Sequence, residues 1–494
     1  MMHARLQDAR LKIPSPRAFC PWYMGRRASL EEYRSMINNL SGCIASILIF
    51  LACNTAALHA ADAAYPIKIG PTRRYFVDGN NRPFLIQGDS AWSLISGATK
   101  DEAEQYLENR RRKGFNTTIV NLIEHKWNGP KNHDGEGPFL VTGDFSTPNE
   151  KYFEHADWVI RKAAEKGIQV LLLPIFLGYK GTDEGWIEEV LSNGPEKCRA
   201  WGLFLGKRYK DFDNIIWMMG SDRKPGEALK DVNAVVAGIK ENDRRHLFTA
   251  QGPPEDSAVD SYGETGWLDF NTTYTYEIVH HKLLSDYNYR PLMPYVLVES
   301  TYEGEHNASP VQIRRQAYWA LLCGAAGQFV GNYPLWGFFP GWQAAMDATA
   351  STDMEITIRL FQSRAWYDLV PDQEGATSIG GSPTAHLARG VVTAGIGERN
   401  GLDYVAAART SDGGTVIAYL PSSRTVTVDM SKISGSQGTV WWFNPRTGSA
   451  TASGEFPTHG SRQFTPPEEG DWVLVIDDAS RKMPAPGASV LPRS

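Results

Sequence analysis

The sequence predicts an α/β protein: a (β/α)8 TIM barrel followed by a small all-β sandwich. Between Phe84 and Tyr367, eight short apolar runs alternate with amphipathic stretches, which is typical of repeated βα units around a parallel sheet. A stretch of this length matches the usual size of a (β/α)8 barrel. After Pro371 the helical pattern stops, and short alternating runs separated by turn residues indicate an antiparallel β domain.

The barrel strands are predicted where aliphatic and β-branched residues cluster between turn signals. Thr99 and Glu102 have capping-box spacing at the start of one intervening helix, and Gly114 ends it. A doubly wound sheet is the competing fold, but no glycine-rich phosphate loop follows the first strand. The stretch between Ala250 and Leu268 shows no clear helix. The eight candidate strands are Phe84–Gly88, Thr117–Leu122, Ile168–Leu173, Ile215–Gly220, His246–Ala250, Leu268–Asn271, Tyr295–Val298 and Gly327–Val330.

We place the barrel at residues 65–368, the sandwich at 371–478 and a tail at 479–494. Turn signals such as Asp412-Gly413-Gly414 separate the β runs of the sandwich. The predicted sandwich strands are Tyr404–Arg409, Thr415–Tyr419, Thr425–Met430, Thr439–Phe443 and Trp472–Val475.

Composition excludes several classes of protein. The chain has 494 residues, a formal net charge of −6 and 42% hydrophobic residues. The charge argues against a nucleic-acid binder, and the hydrophobic share argues against both a polytopic membrane protein and a disordered chain. The chain carries 15 Trp, 20 Tyr and 20 Phe, which suits a protein that stacks aromatic rings on sugars, although large cores also use aromatic residues.

Residues 1–64 are predicted to form a leader with a signal peptide. The apolar run Ser41–Ala52 is too short to span a bilayer comfortably, and small residues follow it. We therefore expect a secreted or periplasmic monomer whose mature chain has no transmembrane span; lipid attachment at Cys53 is the alternative. Cys198 and Cys323, the two cysteines beyond the leader, are predicted to be buried thiols rather than a disulfide.

Catalytic groups of such a barrel belong just past the carboxyl ends of its strands. Two acids satisfy this condition: Asp222 after the fourth strand and Glu299 after the seventh. A pair of carboxyl groups at a shared mouth suits glycosidic bond cleavage, in which one holds a proton and the other stays ionised. The alternative is that each acid caps a helix or pairs with an arginine. Polar and aromatic residues at other strand ends are candidates for sugar binding: Asp89, Asn121, Tyr274, Tyr276, Asn332 and Trp336.

Metal and nucleophile motifs are weak in this sequence. His125, His133 and Asp134 lack compact ligand spacing, and the Gly-Ser-Asp at 220–222 is not a nucleophile elbow. We therefore predict no metal and no organic cofactor. Two alternatives to a glycosidase remain. One is a non-catalytic carbohydrate- or matrix-binding protein on a barrel scaffold, and the other is a protease, for which no serine, cysteine or zinc motif is present.

Several blocks resemble the apiosidase-like family of glycoside hydrolases. They are the stretch from Gln87 to Trp92, the segment Arg110…Gly114-Phe115-Asn116, the block from Arg208 to Asp222, and Glu299-Ser300-Thr301-Tyr302-Glu303. The segments 442–448 and 466–475 resemble a small domain, often attached to that family, that takes its label from the collagen-binding domain of a collagenase. Together these resemblances cover nearly everything from residue 66 to 478.

The resemblance implies a (β/α)8 barrel that hydrolyses glycosidic bonds, with Asp222 as acid/base and Glu299 as nucleophile. It adds Trp92, Tyr302 and Glu303 to the candidates for substrate binding. The characterised activity of the family concerns apiose-bearing side chains of the pectin rhamnogalacturonan II. This sequence departs from the family pattern at Ser221, where relatives carry glycine, and at residues 273–276, where many relatives carry Gln-Ser-Gly-His. Residues 273–276 should line the sugar pocket, so the sequence leaves the sugar open.

These residues lead to one mechanistic hypothesis. Asp222 protonates the leaving oxygen, and Glu299 attacks the anomeric carbon in a retaining double displacement. Retention predicts carboxyl groups about 5–5.5 Å apart, whereas a gap of about 6.5–9.5 Å would favour inversion. The predicted partner is an oligo- or polysaccharide of plant type, pectic side chains among them.

Overall fold

The computed structural model describes residues 63–179, 182, 184–276, 278–373 and 390–488. The apolar run of the expected leader, with Cys53, lies outside these residues, as does the end of the expected tail. Within them, no helix combines the length and the apolar composition needed to cross a bilayer. Cys198 and Cys323 are buried free thiols, as the sequence predicts.

A (β/α)8 barrel forms the first part of the described chain, which confirms the predicted fold class. Its strands follow the order β5-β4-β3-β2-β1-β8-β7-β6, and every ladder between neighbours is parallel. The barrel strands are β1 (Ile86–Ser90), β2 (Thr117–Asn121), β3 (Gln169–Leu173), β4 (Ile215–Gly220), β5 (Phe248–Gln251), β6 (Asn271–Tyr274), β7 (Tyr295–Glu299) and β8 (Gly327–Val330).

The sixth strand lies three residues further along the chain than the sequence predicts. Its threonines disguise it, because they interrupt the apolar run that marks the other strands. Each hydroxyl is satisfied inside the fold: Thr272 donates to the carbonyl of Ala250, and Thr273 donates to Asp286 at 2.5 Å. Buried threonines are therefore tolerated in this strand, and the shift brings Tyr274 to the strand end.

The barrel closes between β5 and β6 through isolated hydrogen bonds rather than a ladder. The backbone N–H of Asp269 donates to the carbonyl of Phe248 at 2.9 Å, and the Thr249 hydroxyl donates to the carbonyl of Phe270 at 2.8 Å. The short strand Asp256–Ser257 lies antiparallel beside β6 and extends this edge. The amino-terminal parts of β5 and β6 are thereby held close to each other.

Each barrel strand is followed by a helix. Both halves of the capping box predicted at Thr99 and Glu102 are present, and Gly114 ends that turn with a φ of 76°. A short helix, Ala258–Tyr262, occupies the stretch in which the sequence shows none, and Asp260 accepts from the backbone N–H of Ser257 at 3.0 Å. The helices are α1 (Lys100–Arg112), α2 (Glu150–Glu165), α3 (Ile187–Tyr209, kinked at Gly194), α4 (Leu229–Asn242), α5 (Ala258–Tyr262), α6 (Val279–Asn288), α7 (Pro310–Leu322) and α8 (Thr349–Gln362).

The barrel interior is apolar and is plugged at the amino end of its strands. A small antiparallel sheet of Lys68–Ile69, Phe76–Val77 and Pro83–Phe84 places Phe76 edge-on against Phe270, with ring centroids 5.0 Å apart. Alternate residues of β7 divide between two cores: Val296 and Val298 face the interior, whereas Tyr295 and Leu297 pack outside.

Two antiparallel sheets follow the barrel, and they enclose a second core that includes Trp442 and Trp472. The β-sandwich prediction is thus confirmed, and all five predicted strands are present. The strands that the sequence did not reveal lack an alternating apolar pattern; Ala450–Pro457, for instance, is almost wholly exposed. The larger sheet consists of Leu369–Pro371, Ala406–Thr410, Thr415–Leu420, Trp472–Asp478, Gln437–Phe443 and Ala450–Pro457, and the smaller of Val392–Ala394, Val426–Asp429 and Ser461–Phe464.

The larger sheet packs against the barrel helices α7 and α8. Tyr318 of α7 stacks on Tyr419 of the sheet with ring centroids 4.6 Å apart and an angle of 5° between planes. Beside them Arg314 of α7 forms a buried bidentate ion pair with Asp471, in which two hydrogen bonds have N···O distances of 2.8 and 3.0 Å. Arg314 also donates to Asp353 of α8 at 2.9 Å. The β domain is therefore joined to the barrel by both apolar contacts and buried ion pairs.

Candidate active site

Asp222 and Glu299 lie at the carboxyl ends of β4 and β7. Glu299 is the last residue of its strand and is only 7% exposed, and Asp222 is half-buried two residues beyond the end of β4. Burial and the nearby Asp222 charge both raise the pKa of Glu299 well above its usual range. The two carboxyl groups therefore share a poorly solvated space, in which they repel each other when both are ionised.

Asp222 has the surroundings of an acid that keeps its proton near neutral pH. Burial, followed by the negative charge of Glu184, raises the pKa of Asp222 to about 7. Its Oδ1 atom is buried and accepts no hydrogen bond from the residues that the structure describes. An unpartnered, buried carboxyl oxygen favours the neutral form.

Glu299, in contrast, is held by hydrogen-bond donors. The side-chain amide of Gln251, at the end of β5, donates to Glu299 Oε2 at 2.6 Å. The Tyr302 hydroxyl is a second partner of Glu299, and this hydroxyl accepts from the indole N–H of Trp92 at 2.9 Å. Donors to a carboxylate stabilise its ionised form, so these contacts oppose the effect of burial.

The backbone that carries Asp222 is strained. Gly220, Ser221 and Asp222 have consecutive φ angles of 89°, 90° and 59°, in the left-handed region that favours glycine. Gly220 is required there, since an added Cβ would come within 2.4 Å of the Tyr262 hydroxyl and 2.6 Å of the Gln251 carbonyl. Strained residues of this kind concentrate at functional sites, where neighbouring structure holds them in place.

Ser221→Gly is accordingly expected to stabilise the protein. Glycine removes the left-handed strain at this position, where Ser221 has a φ of 90°. After the greater flexibility of glycine in the unfolded chain is subtracted, we expect the free energy of unfolding to rise by about 1 kcal/mol. Chemical denaturation of the two proteins measures this; Gly220→Ser, the reverse exchange one residue away, should destabilise strongly, and equal effects of the two changes would contradict the account.

Aromatic side chains surround the two acids. The hydroxyls of Tyr274 and Tyr276 lie 2.9 Å apart, and burial, followed by the charges of Glu299 and Asp222, raises the pKa of both tyrosines, so both remain neutral. The indole N–H of Trp336 donates to Glu305 at 2.8 Å, and the charge of Glu305 also raises the pKa of Glu299. Four aromatic rings pack in a row, which we call the aromatic wall. Their centroids are 5.1 Å apart for Trp336 and Trp127, 5.0 Å for Trp127 and Phe176, and 6.1 Å for Phe176 and Trp92.

A buried carboxylate anchors the loop that carries Trp127. Glu124 is 1% exposed and accepts from the hydroxyls of Ser93, at 2.5 Å, and Ser96, and from the backbone N–H of Asn128 at 3.1 Å. Burial nevertheless raises its pKa. Because both carboxylate oxygens of Glu124 already accept hydrogen bonds within the fold, Glu124 supports the loop of the aromatic wall rather than taking part in catalysis.

Comparison with known proteins decides the family. Residues 71–368 match the family described as "Apiosidase-like, catalytic domain", which is more than half of the chain. The chain belongs to the apiosidase-like glycoside hydrolases. Residues 390–477 of this apiosidase-like enzyme match a second family, described as "Putative collagen-binding domain of a collagenase". The fold, the enzyme class and a carbohydrate substrate follow from the first match.

Solved structures agree on the fold of the apiosidase-like enzyme. One described as "Glycoside hydrolase" is 24% identical, with 84% of this chain and 97% of that chain covered and a TM-score of 0.73. A glycoside hydrolase family 5 protein from Bacteroides vulgatus is 23% identical, with 86% and 96% covered and a TM-score of 0.75. Among curated protein sequences, none matches the chain significantly.

Not every candidate residue of the apiosidase-like enzyme is brought to the mouth. Asp89 is 1% exposed, accepts from the Tyr106 hydroxyl at 2.7 Å and lies 3.6 Å from Arg110 Nε, so it contacts α1 instead. Its place in β1 explains this, because alternate side chains of a barrel strand point outward. Asn121, at the end of β2, is 1% exposed and lies beside Glu124.

Glu303 and Asn332 are bonded to each other rather than to the acids. The Asn332 amide donates to Glu303 at 2.8 Å, and both Glu303 carboxylate oxygens lie within 3.3 Å of the backbone nitrogen of Ala350, in the first turn of α8. Glu303 thus satisfies a helix N-terminus. The candidates that the structure does group around the acids are Trp92, Tyr274, Tyr276, Tyr302 and Trp336.

Sequence reasoning missed four residues of the mouth: Gln251, Glu184, Trp127 and Phe176. Gln251 would have been found by extending the fifth strand one residue beyond Ala250. The other three lie in loops after β2 and β3, where no periodicity marks them.

His125, one of the histidines considered as a metal ligand, contacts a carboxylate and an aromatic ring. His125 Nε2 lies 3.0 Å from Glu189, and its ring packs edge-on against Trp186 at 4.7 Å. Over the described part of the chain, no group of three or more His, Cys, Asp or Glu side chains is arranged to hold a metal ion.

Proposed function

We propose that this enzyme cleaves glycosidic bonds of plant-type polysaccharide, pectic side chains among the candidates, by a retaining mechanism with Asp222 as acid/base and Glu299 as nucleophile. One observation carries the proposal: the acids at the ends of β4 and β7 interact electrostatically, and Glu299 is held by two neutral donors, Gln251 and Tyr302. Such an arrangement suits a pair in which one carboxyl keeps a proton and the other attacks.

The first step forms one bond and breaks another. A Glu299 oxygen attacks the anomeric carbon as the bond from that carbon to the leaving oxygen breaks, and Asp222 gives its proton to the leaving oxygen. In the second step, ionised Asp222 takes a proton from water. The resulting oxygen attacks the same carbon and displaces Glu299, so the original configuration is restored and both carboxyl groups return to their starting states.

The mechanism needs one proton shared between two acids, and the contacts favour Asp222 as its holder. Asp222 Oδ1 has no partner among the described residues and the Ser221 hydroxyl lies beside the carboxyl group, whereas Glu299 accepts from both Gln251 and Tyr302. Tyr274, Tyr276, Trp92 and Trp336 would orient the sugar by stacking and hydrogen bonding.

Product analysis tests this function. The full-length enzyme is incubated with pectic and hemicellulosic glycans, and the released sugars are identified by chromatography beside an Asp222→Asn variant. Release of a defined sugar by the wild type, with little from the variant, supports the proposal. Binding of a glycan without release of any sugar would instead favour the non-catalytic alternative.

The alkaline side of the pH profile should depend on Glu184. Activity requires protonated Asp222, so it is lost as pH rises through a pKa of about 7, which burial and Glu184 raise. Glu184→Gln removes one of these causes and should shift the alkaline limb of kcat/KM to lower pH. Glu188→Gln, an exposed acid in the first turn of α3, is the matched control and should leave the limb in place. Identical limbs for wild type and Glu184→Gln would contradict this.

We also propose that the enzyme is exported to the periplasm or the medium, with cleavage after the apolar run that ends at Ala52. The run and the small residues after it support this proposal. Mass spectrometry of the mature protein recovered from the expressing cells tests it: an N-terminus between residues 53 and 66 is expected, and an intact leader would contradict export.

A further inference from the structure

We propose that Gln251 is a positioning residue: its side chain fixes the Glu299 carboxylate while its backbone fixes the strand end that carries Asp222. The inference rests on the proposed function and extends it to a residue that contacts Glu299. Gln251 ends β5 and is fully buried, so its contacts lie within the fold.

The side chain of Gln251 crosses the mouth of the barrel. Its amide donates to Glu299 Oε2 at 2.6 Å, from the end of β5 to the end of β7, past the intervening strand β6. The contact therefore limits both the position and the rotation of the carboxylate.

The backbone of Gln251 holds the other acid. Gln251 pairs with Gly220 in the β4–β5 ladder, and its carbonyl accepts from the backbone N–H of Ser221 at 2.8 Å. Ser221 lies in the strained run that ends at Asp222. One residue thus contacts the nucleophile directly and the acid through the residue before it, which fixes their relative placement.

The chemistry of an amide suits this position. A lysine or arginine would neutralise Glu299 and weaken its attack, and a carboxyl group would compete for the shared proton. The glutamine amide donates a hydrogen bond but has no charge at any working pH. It stabilises ionised Glu299 against burial and the repulsion of Asp222, which favours Asp222 as the holder of the shared proton.

Two substitutions test the role. Gln251→Met keeps the length of the side chain but removes the donor, so Glu299 should hold a proton to higher pH. The midpoint of the acidic limb of the kcat/KM profile should therefore move to higher pH by about one to two units. Gln251→Glu keeps the shape. When protonated it can still donate, but once ionised it adds a third carboxylate, so its activity should survive only at the acidic end of the profile.

Thermal unfolding across pH supplies a readout that needs no substrate. The donor matters most when Glu299 is ionised, so the gap in Tm between wild type and Gln251→Met should widen as pH rises through the pKa of Glu299. Gln328→Met is the matched control: Gln328 is a buried barrel glutamine bonded to Gln87 at 3.0 Å. The difference in Tm between wild type and Gln328→Met should stay constant with pH.

The results separate this inference from the proposed function. A widening gap for Gln251→Met and a constant one for Gln328→Met support the inference. Gaps that are equally flat would overturn it, as would pH–rate profiles of Gln251→Met and Gln251→Glu that keep the wild-type limbs at lower amplitude. Failure of the wild type to hydrolyse any glycan would overturn the proposed function, and the thermal curves would still decide what Gln251 does to Glu299.

Discussion

Glu299→Gln is expected to lower kcat by at least about 10⁴-fold on any glycan that the wild type hydrolyses, since removal of a covalent nucleophile costs up to about 10⁶-fold in other enzymes. The amide has the same shape but cannot attack the anomeric carbon. It also ends the repulsion that raises the pKa of Glu299 through Asp222, so the variant should fold at least as stably as the wild type. Steady-state kinetics together with thermal unfolding measure both effects.

The role of Asp222 is distinguished from that of Glu299 by azide. Loss of a general acid–base group costs about 10²–10⁴-fold, and azide needs no base to attack a glycosyl-enzyme. In Asp222→Ala, azide should raise the rate and give a glycosyl azide of retained configuration. In Glu299→Ala, azide would replace the nucleophile and give the inverted product. The opposite pattern would exchange the two roles.

Arg314→Met is expected to cost about 3–5 kcal/mol of stability, because it leaves buried carboxylates without their cation. Arg314 and its partners Asp353 and Asp471 are each at most 6% exposed, and the bonds join barrel helices to the β domain. Arg446 still forms an ion pair with Asp471 at 2.8 Å in this variant, so the loss of the Arg314 charge affects Asp353 more than Asp471. Burial already raises the pKa of Asp353 to about 6, and without Arg314 it should rise further.

The pH dependence of this defect identifies its cause. Arg314 helps to lower the pKa of Asp471, so the stability that the pair contributes is present at neutral pH and is lost as pH falls. The gap in Tm between wild type and Arg314→Met should therefore be largest near pH 7 and shrink in acid. Arg112→Met, which breaks a surface pair with Glu108 in which Arg112 is 72% exposed, is the control and should cost less than about 1 kcal/mol. A defect of Arg314→Met that equals the control, or that grows in acid, would contradict the account.

The barrel could be predicted because each strand lies in the chain as a compact apolar run. The exception is instructive: β6 uses Thr272 and Thr273, whose hydroxyls bond to Ala250 and Asp286, and a sequence pattern cannot show which hydroxyls will find partners. The strand Ala450–Pro457 was missed because it is exposed and lacks alternation. Hydrogen bonds to a neighbouring strand, rather than burial, hold it in the sheet.

The site was predictable only in part, for a similar reason. Strand ends pointed to Asp222 and Glu299, and the structure brings both to one mouth. Strand ends also pointed to Asp89, but whether a residue near a strand end faces inward depends on register, and Asp89 faces α1. Gln251 escaped because its importance comes from a contact across the barrel, between residues 48 positions apart.

The central claim, that Glu299 attacks while Asp222 supplies the proton, is tested most directly by trapping the intermediate. The sugar identified by product analysis is prepared as a 2-deoxy-2-fluoro glycoside with a good leaving group, which slows the second step more than the first. After incubation and digestion, mass spectrometry should find that sugar bound covalently to the peptide containing Glu299. Attachment to a different residue, or turnover to a product of inverted configuration without any adduct, would contradict the claim.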